Sequence, residues 1–349
     1  MCKIVNIMLK FLVLTSFRIS FILAHYDPAY FRSSKDAFVT HMDWMKDIRD
    51  DVMLSELALP GTHDSASFIW NNDIIDTQTL NFNEQLNYGI RVFDIRYRHT
   101  TDTFALYHGI AYLSKMFGDF LESVHNFLLE HSSETVLFRL KEELYPNNNN
   151  NRSAREILNE YLVKYKQTYL KTTENIELGE ARGKFIILYN NLDFYDYGIN
   201  YSICNIQDSY IFTSNWDLYN KWEKIRAHLD KARINGNKSE FYINYLSGAV
   251  GSLPYFVASG HNSRWTTASR LATGLTTSLW PHIYPDFPRV NCFMDICTIA
   301  FEGTNILTRD YIKNIQSSNR TIGIIMADFP GSSLIHEIIH NNYALNKKS

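Results

Sequence analysis

The sequence predicts an α/β fold, a single barrel of the TIM (β/α)8 type, on three observations. Strand-like apolar runs alternate with helix-like periodic segments, and strands separated by helices imply a parallel sheet. About eight such runs spread over roughly 290 residues, which suits a barrel with some insertions. Five of the runs carry an ionisable group at or near their C-terminal end. In barrels of this type the active groups sit at the C-terminal ends of the strands, so five such endings would converge on one rim. An open doubly wound sheet is the alternative, but no GxGxxG follows the first strand.

The first run, LALPG at 57–61, stops just before His63 and Asp64, which stand side by side. In RVFDIRYR (91–98) a period of two puts Asp94 and Arg96 on one face and Phe93 and Ile95 on the other. FALYHG (104–109) reaches His108, TVLFRLKEE (135–143) carries Lys141, and TIGIIMADFPG (321–331) carries Asp328. GKFIILYN (183–190) and EFYINYLSG (240–248) read as further buried strands. Between them, Phe117, Phe120, Leu121, Val124, Phe127 and Leu128 fall at helical spacing. Ser153 with Glu156 fits a capping box opening a helix with Ile157, Tyr161 and Tyr165 on one face. Segments 216–233 and 307–318 and the stretch SSLIHEIIHNN also read as helices. The run of asparagines at 147–151 reads as a solvated loop. The segment from about 260 to 305 is long between two strands and is expected to form an elaborated loop over the rim.

The chain has 349 residues, enough for one large domain, and is 45% hydrophobic and 20% charged, in the range of a globular protein with a sizeable core. A net charge of −3 gives no electrostatic footprint for nucleic acid. At the N-terminus, Lys3 and Lys10 precede apolar residues and Ala24 offers a small residue for cleavage, so 1–24 is expected to be a secretory signal peptide and the protein to be secreted. Lys10 and Arg18 interrupt the apolar part too much for a bilayer span. Four N-x-S/T sequons, at Asn151, Asn200, Asn237 and Asn319, are compatible with secretion. Without the signal, Cys204, Cys292 and Cys297 remain, an odd number that leaves at least one thiol free or intermolecular; a Cys292–Cys297 bridge is open. No cysteine–histidine spacing suggests zinc.

Two histidines near an arginine suit phosphoryl chemistry. One imidazole takes a proton from a nucleophilic hydroxyl while the other gives one to the leaving oxygen, and an unperturbed pKa of about 6.5 allows both near neutral pH. A guanidinium such as Arg96 offers a planar fork of donors to a phosphorus centre gaining charge.

The stretches LPGTHDS, FDIRYR, LYHG, SSETVLFRLKEE, GEARGK and QDSY come in an order and spacing that resemble bacterial-type phosphatidylinositol-specific phospholipase C, over about residues 51–345. The chain looks like the single-domain X-domain family, with 25–50 as an N-terminal segment before the catalytic barrel. The resemblance implies a distorted TIM barrel and cleavage of phosphatidylinositol to diacylglycerol and inositol 1,2-cyclic phosphate, with no cofactor and no metal. It implies His63 as general base, His108 as general acid, Asp328 orienting the base, Asp64 partnering the acid, and Arg96 doing the work of calcium in metal-dependent relatives, with Asp94 in the same cluster. Lys141, Arg182, Asp208 and Tyr210 match residues that hold the inositol ring. Arg139, on the strand face of Lys141, is an extra cation outside that pattern, able to touch a phosphate or to pair with Glu143. The expected partners are phosphatidylinositol or a GPI-type lipid at a membrane surface. Phe68, Ile69, Trp70, Trp280 and Tyr284 are candidates for dipping into the lipid interface. Two alternatives stand beside this reading: a metal-dependent glycerophosphodiesterase on a similar barrel, and an inactive inositol-lipid-binding module.

Overall fold

Eight parallel strands follow one another around a curled sheet in the computed structural model, which describes residues 26–33, 39–235, 239–264, 270–315 and 320–346. They are β1 (Leu59–Thr62), β2 (Val92–Thr100), β3 (Thr135–Glu142), β4 (Lys184–Tyr189), β5 (Gly198–Asn200), β6 (Asn205–Gln207), β7 (Tyr242–Tyr245) and β8 (Ile324–Ala327). Their order in space is β5-β4-β3-β2-β1-β8-β7-β6, which is chain order on a circle. The circle is not closed by hydrogen bonds: among the described residues no ladder joins β5 to β6. Each of these two strands has three residues, and a 3-10 turn, Tyr201–Ile203, lies between them. The fold is therefore a distorted, open barrel of the TIM type. The signal-peptide residues 1–24 and the sequons at Asn237 and Asn319 lie outside the described residues.

The helices form where the pattern places them. Phe117–Glu130 buries all six of the predicted apolar positions. Phe120 packs edge-on against Phe138 of β3 with ring centroids 5.1 Å apart, and burying a side chain of this size contributes on the order of 2–3 kcal/mol. The helix Ala154–Lys164 opens with the predicted capping box: Ser153 Oγ accepts from Glu156 N at 3.2 Å and the Glu156 carboxylate accepts from Ser153 N at 2.8 Å. Helix Leu218–Asn235 packs on β7 and β6, and Ser332–Asn341 packs on β1 and on the helix Thr304–Ile315.

Strand membership differs from the sequence reading in two places. The run ending at His108 is not a barrel strand. Thr103–His108 turns back antiparallel to β2 and pairs with Ala111–Met116, making a hairpin that projects from the rim. The other six named runs are barrel strands, and β5 and β6, too short to show a period of two in sequence, complete the eight. The 260–305 segment is more than a loop: it carries a three-stranded antiparallel sheet of Ala272–Thr276, Arg289–Phe293 and Ile296–Ala300, and Cys292 and Cys297 are joined by a disulfide. Cys204 stays a free thiol, which burial pushes up to about 12. Among the described residues no helix is long and apolar enough to cross a membrane.

Candidate active site

Parallel register assembles the site. β1 pairs with β8 so that Thr62 lies opposite Ala327, and His63 N donates to Ala327 O at 3.1 Å, which sets His63 beside Asp328. β2 pairs with β3 so that Asp94 lies opposite Arg139 and Arg96 opposite Lys141. The hairpin folds back over β2, with Leu106 opposite Tyr97, and returns His108 to the same rim. β1 can lie this close to its neighbours because residue 61 is glycine: a Cβ there would stand 2.5 Å from Met326 Sδ and 3.1 Å from Val92. Immediately past the two strand ends, Asp64 and Phe329 adopt left-handed φ values of 42° and 47°. Side chains other than glycine seldom sit there, and such strain collects where a chain must aim a functional group.

Hydrogen bonds fix the imidazoles. His63 Nδ1 lies 2.8 Å from Asp328 Oδ1, and Arg96 Nη2 lies 2.8 Å from His63 Nε2. A guanidinium can only donate, so Nε2 holds a lone pair and Nδ1 carries the proton given to Asp328. That is the tautomer of a poised base. His108 Nδ1 lies 2.7 Å from the Ile75 carbonyl, which can only accept, so Nε2 is the atom turned to the site. Asp64 Oδ2 is 3.4 Å from Nε2 of both histidines, and its Oδ1 is 2.7 Å from Arg96 Nε. Arg96 also donates to Asp94 at 2.9 Å and to Glu143 at 3.3 Å, so three carboxylates hold one guanidinium.

The electrostatics separate the roles. Removal from water and the adjacent Arg96 charge hold His63 well below the usual imidazole range, so it is neutral at physiological pH. Burial opposes ionisation of Asp94, but Arg96 and Arg139 outweigh it and keep the carboxyl well below the usual range. Asp64 is raised to about 6, by burial first, with Arg96 and His108 pulling against it. Between the usual carboxylate value of about 4 and 6 the folded chain thus holds a proton that the unfolded chain has lost. The contribution of Asp64 to stability is full in acid and is lost as pH rises through about 6. Asp64→Asn keeps a side chain tolerated at this φ and is expected to raise the thermal midpoint by about 2–4 °C near pH 8 but not near pH 5, while lowering activity. Equal shifts at both pH values would contradict it.

The remaining sequence candidates divide. Lys141, Asp208 and Tyr210 line the same cavity of about 280 Å³ as His63, Asp64, Arg96 and His108. Lys141 Nζ sits 2.8 Å from Glu143. Arg182 does not belong to it. It precedes β4, at the opposite end of the barrel, where it donates to Asp50, to the Ser133 and Met45 carbonyls and to the Ile48 carbonyl. A strand of six residues spans about 20 Å, so a residue before β4 cannot reach a rim beyond its end. Arg182→Ala is expected to cost about 2 kcal/mol of stability and to leave KM unchanged; a higher KM without loss of stability would restore the ring-binding role.

Sequence reasoning named Arg139 as an extra cation but missed the other cavity residues. Arg139 turns away from Glu143, which Lys141 and Arg96 occupy. It contacts Asp94 Oδ1 at 3.4 Å, Tyr245 OH at 3.2 Å and Asn190 Oδ1 at 2.5 Å, and lies over the Tyr201 ring at 4.3 Å. It is the arginine beside Arg96 in this cavity. Ser247, Gly248 and Ala249, just beyond β7, complete the wall. Lys221 lies behind it, 3% exposed, with Nζ 3.4 Å from Gln207 Oε1; burial pushes it down to about 7, against the pull of Asp208 and Asp328. Its sequence signal is a lysine on the buried stripe of Leu218, Trp222 and Ile225. His125 and His131 bond Thr168 and Asp43.

Fold and site together define a parallel α/β barrel with two imidazoles and a guanidinium at its C-terminal rim. Residues 57–191 match the family model described as phosphatidylinositol-specific phospholipase C, X domain. It is 28% identical over 262 residues to a 1-phosphatidylinositol phosphodiesterase of Staphylococcus aureus, covering 66% of this chain and 80% of the other. It is 27% identical over 324 residues to a protein of the same name from Listeria monocytogenes, covering 87% and 86%. The solved phosphatidylinositol-specific phospholipase C from Listeria monocytogenes superposes with a TM-score of 0.64 at 22% identity, over 87% of this chain and 99% of that one.

Proposed function

We propose that the protein is a phosphoric diester lyase that cleaves phosphatidylinositol, or the same head group in a GPI-type lipid, to diacylglycerol and inositol 1,2-cyclic phosphate. The observation that carries this is the common oxygen of Asp64, 3.4 Å from both imidazole Nε2 atoms, with Arg96 against it. His63 Nε2 takes the proton of the inositol 2-hydroxyl, and the freed oxygen bonds to phosphorus. The bond from phosphorus to the glycerol oxygen breaks, and that oxygen takes its proton from protonated His108 Nε2. Asp64 Oδ2 stands 3.4 Å from the Nε2 that gives this proton. Arg96, already aimed by Asp94 and Glu143, turns its Nη2 donors from His63 to the phosphoryl oxygens. A hydroxyl tethered beside its phosphate enjoys an effective molarity of up to about 10⁵–10⁸ M, so no activated water is needed. Lys141, Asp208 and Tyr210 hold the ring, with Arg139 beside them.

Three expectations belong to this reading: residues 1–24 as a removed signal, residues 25–50 as a segment leading into a catalytic barrel at 51–345, and action at membrane surfaces outside the cell. Of the rim candidates, Ile69, Trp70 and Trp280 are exposed, whereas Phe68 packs on Phe82 and Tyr284 on Tyr219. Trp70→Ala is therefore expected to weaken partitioning onto phosphatidylinositol vesicles by about threefold or more, in a sedimentation assay. Unchanged partitioning would remove Trp70 from the interface. The function itself is tested by adding purified protein to such vesicles with a chelator. Release of diacylglycerol is expected, and activity only when a divalent cation is restored would favour a metal-dependent phosphodiesterase.

A further inference from the structure

The Ile75 carbonyl that fixes His108 belongs to a rim segment with unusual anchoring. Ser67 Oγ donates to the same carbonyl at 2.6 Å. On either side of Ile75 stand Asp73 and Asp76, and Arg264 pairs with both, at 3.4 Å and 2.5 Å. The Arg264 side chain is 3% exposed and that of Asp76 is 1% exposed. Asp76 also accepts from the backbone N–H groups of Trp70 and Asn72 at 3.0 and 3.1 Å, so its carboxylate is the hub of the 70–76 turn. Asp73 accepts from Ser263 Oγ at 2.5 Å. The guanidinium lies over the ring of Phe329, the strained residue next to Asp328. Arg264 comes from the long connection between β7 and β8, about two hundred residues away from this turn in the chain.

We propose that Arg264 is a positioning residue for the general acid: by clamping Asp73 and Asp76 it holds the Ile75 carbonyl that selects the His108 tautomer and aims Nε2 at the leaving oxygen. The inference rests on His108 being the acid. It also gives the rim loop a second job. Ile69, Trp70 and Ile74 are exposed on the same turn, so the surface that would meet lipid and the carbonyl that aims the acid belong to one segment. An ion pair this buried is held by its geometry, and removing one partner leaves the other uncompensated.

A leaving group that departs without a proton separates aim from general integrity. Two soluble, monomeric substrates suffice: an inositol 1-phosphate butyl ester, whose alkoxide needs an acid, and the p-nitrophenyl ester, whose phenolate does not. His108→Gln is the reference and is expected to lose roughly 10²–10⁴-fold on the butyl ester and far less on the aryl ester. Arg264→Gln is expected to lose about tenfold or more in kcat on the butyl ester and to stay within about twofold on the aryl ester, with Arg264→Lys recovering part of the loss. Should Arg264→Gln fail to fold, the neutral pair Arg264→Met with Asp76→Asn is expected to show the same selective loss. Equal losses on both esters, or none on either, with His108→Gln still selective, would overturn the role of Arg264 alone. If His108→Gln itself loses equally on both, the acid assignment fails and this inference falls with it.

Discussion

Arg96→Lys is expected to lower kcat on phosphatidylinositol by roughly 10²–10³-fold with the fold intact and KM little changed. Its guanidinium faces four groups at once: Asp64 and Asp94 on its Nε side, His63 through Nη2 and Glu143 through Nη1. Only a planar fork serves these directions together; an ammonium is a point charge on a flexible stem. The lysine would keep much of the neutralising charge, so Asp94 stays ionised and the site stays assembled. It would lose the second donor that meets the phosphorane, an interaction made most strongly in the transition state. Lys141, Asp208 and Tyr210, proposed to hold the ring, line the cavity and are left in place by the change. Steady-state kinetics on vesicles check this, and a rise in KM with kcat unchanged would assign Arg96 to ground-state binding instead.

His63→Ala is expected to cost roughly 10²–10⁴-fold in kcat, the usual worth of one positioned proton transfer. Because Arg96 already donates to Nε2, the imidazole is neutral with its lone pair turned into the cavity before substrate arrives. Asp328 fixes that tautomer from behind through Nδ1. Alanine removes both the proposed base and the partner of a buried carboxylate. Asp328 is pushed upward by burial and by the charge of Asp64, so it takes up a proton in the variant and the cavity tolerates the loss. The variant should therefore fold and still bind inositol phosphate, which calorimetry can measure. A His63→Ala protein that turns over phosphatidylinositol as fast as the unchanged protein would refute the assignment.

The parts legible in the sequence are those written in local chemistry. Strand ends marked by His63, Asp94, Arg96, His108, Lys141 and Asp328 were readable because an ionisable group closing an apolar run is costly anywhere but at a site or an ion pair. The helix Phe117–Glu130 was readable from its period. What was not legible depended on register and distance. Arg182 resembles a ring-binding arginine in its sequence neighbourhood, yet it lies before β4 rather than after it, and only the strand direction tells the two ends apart. Arg139 was visible as an extra cation on the right face, but its partners Asn190, Tyr201 and Tyr245 come from three other segments. β5 and β6 were hidden because three residues cannot display alternation. Arg264 was hidden because nothing local relates it to Asp73 and Asp76.

The central claim is that two imidazoles share one phosphorus atom, one removing a proton from the ring and the other returning one to the glycerol oxygen. Phosphorus NMR of the purified protein acting on phosphatidylinositol tests this most directly. The account predicts that the first phosphorus signal to grow is that of the five-membered cyclic diester of inositol, with chelator present throughout. If the acyclic inositol monophosphate forms first, with no cyclic species before it, water rather than the 2-hydroxyl is the nucleophile and the proposed division of labour is wrong.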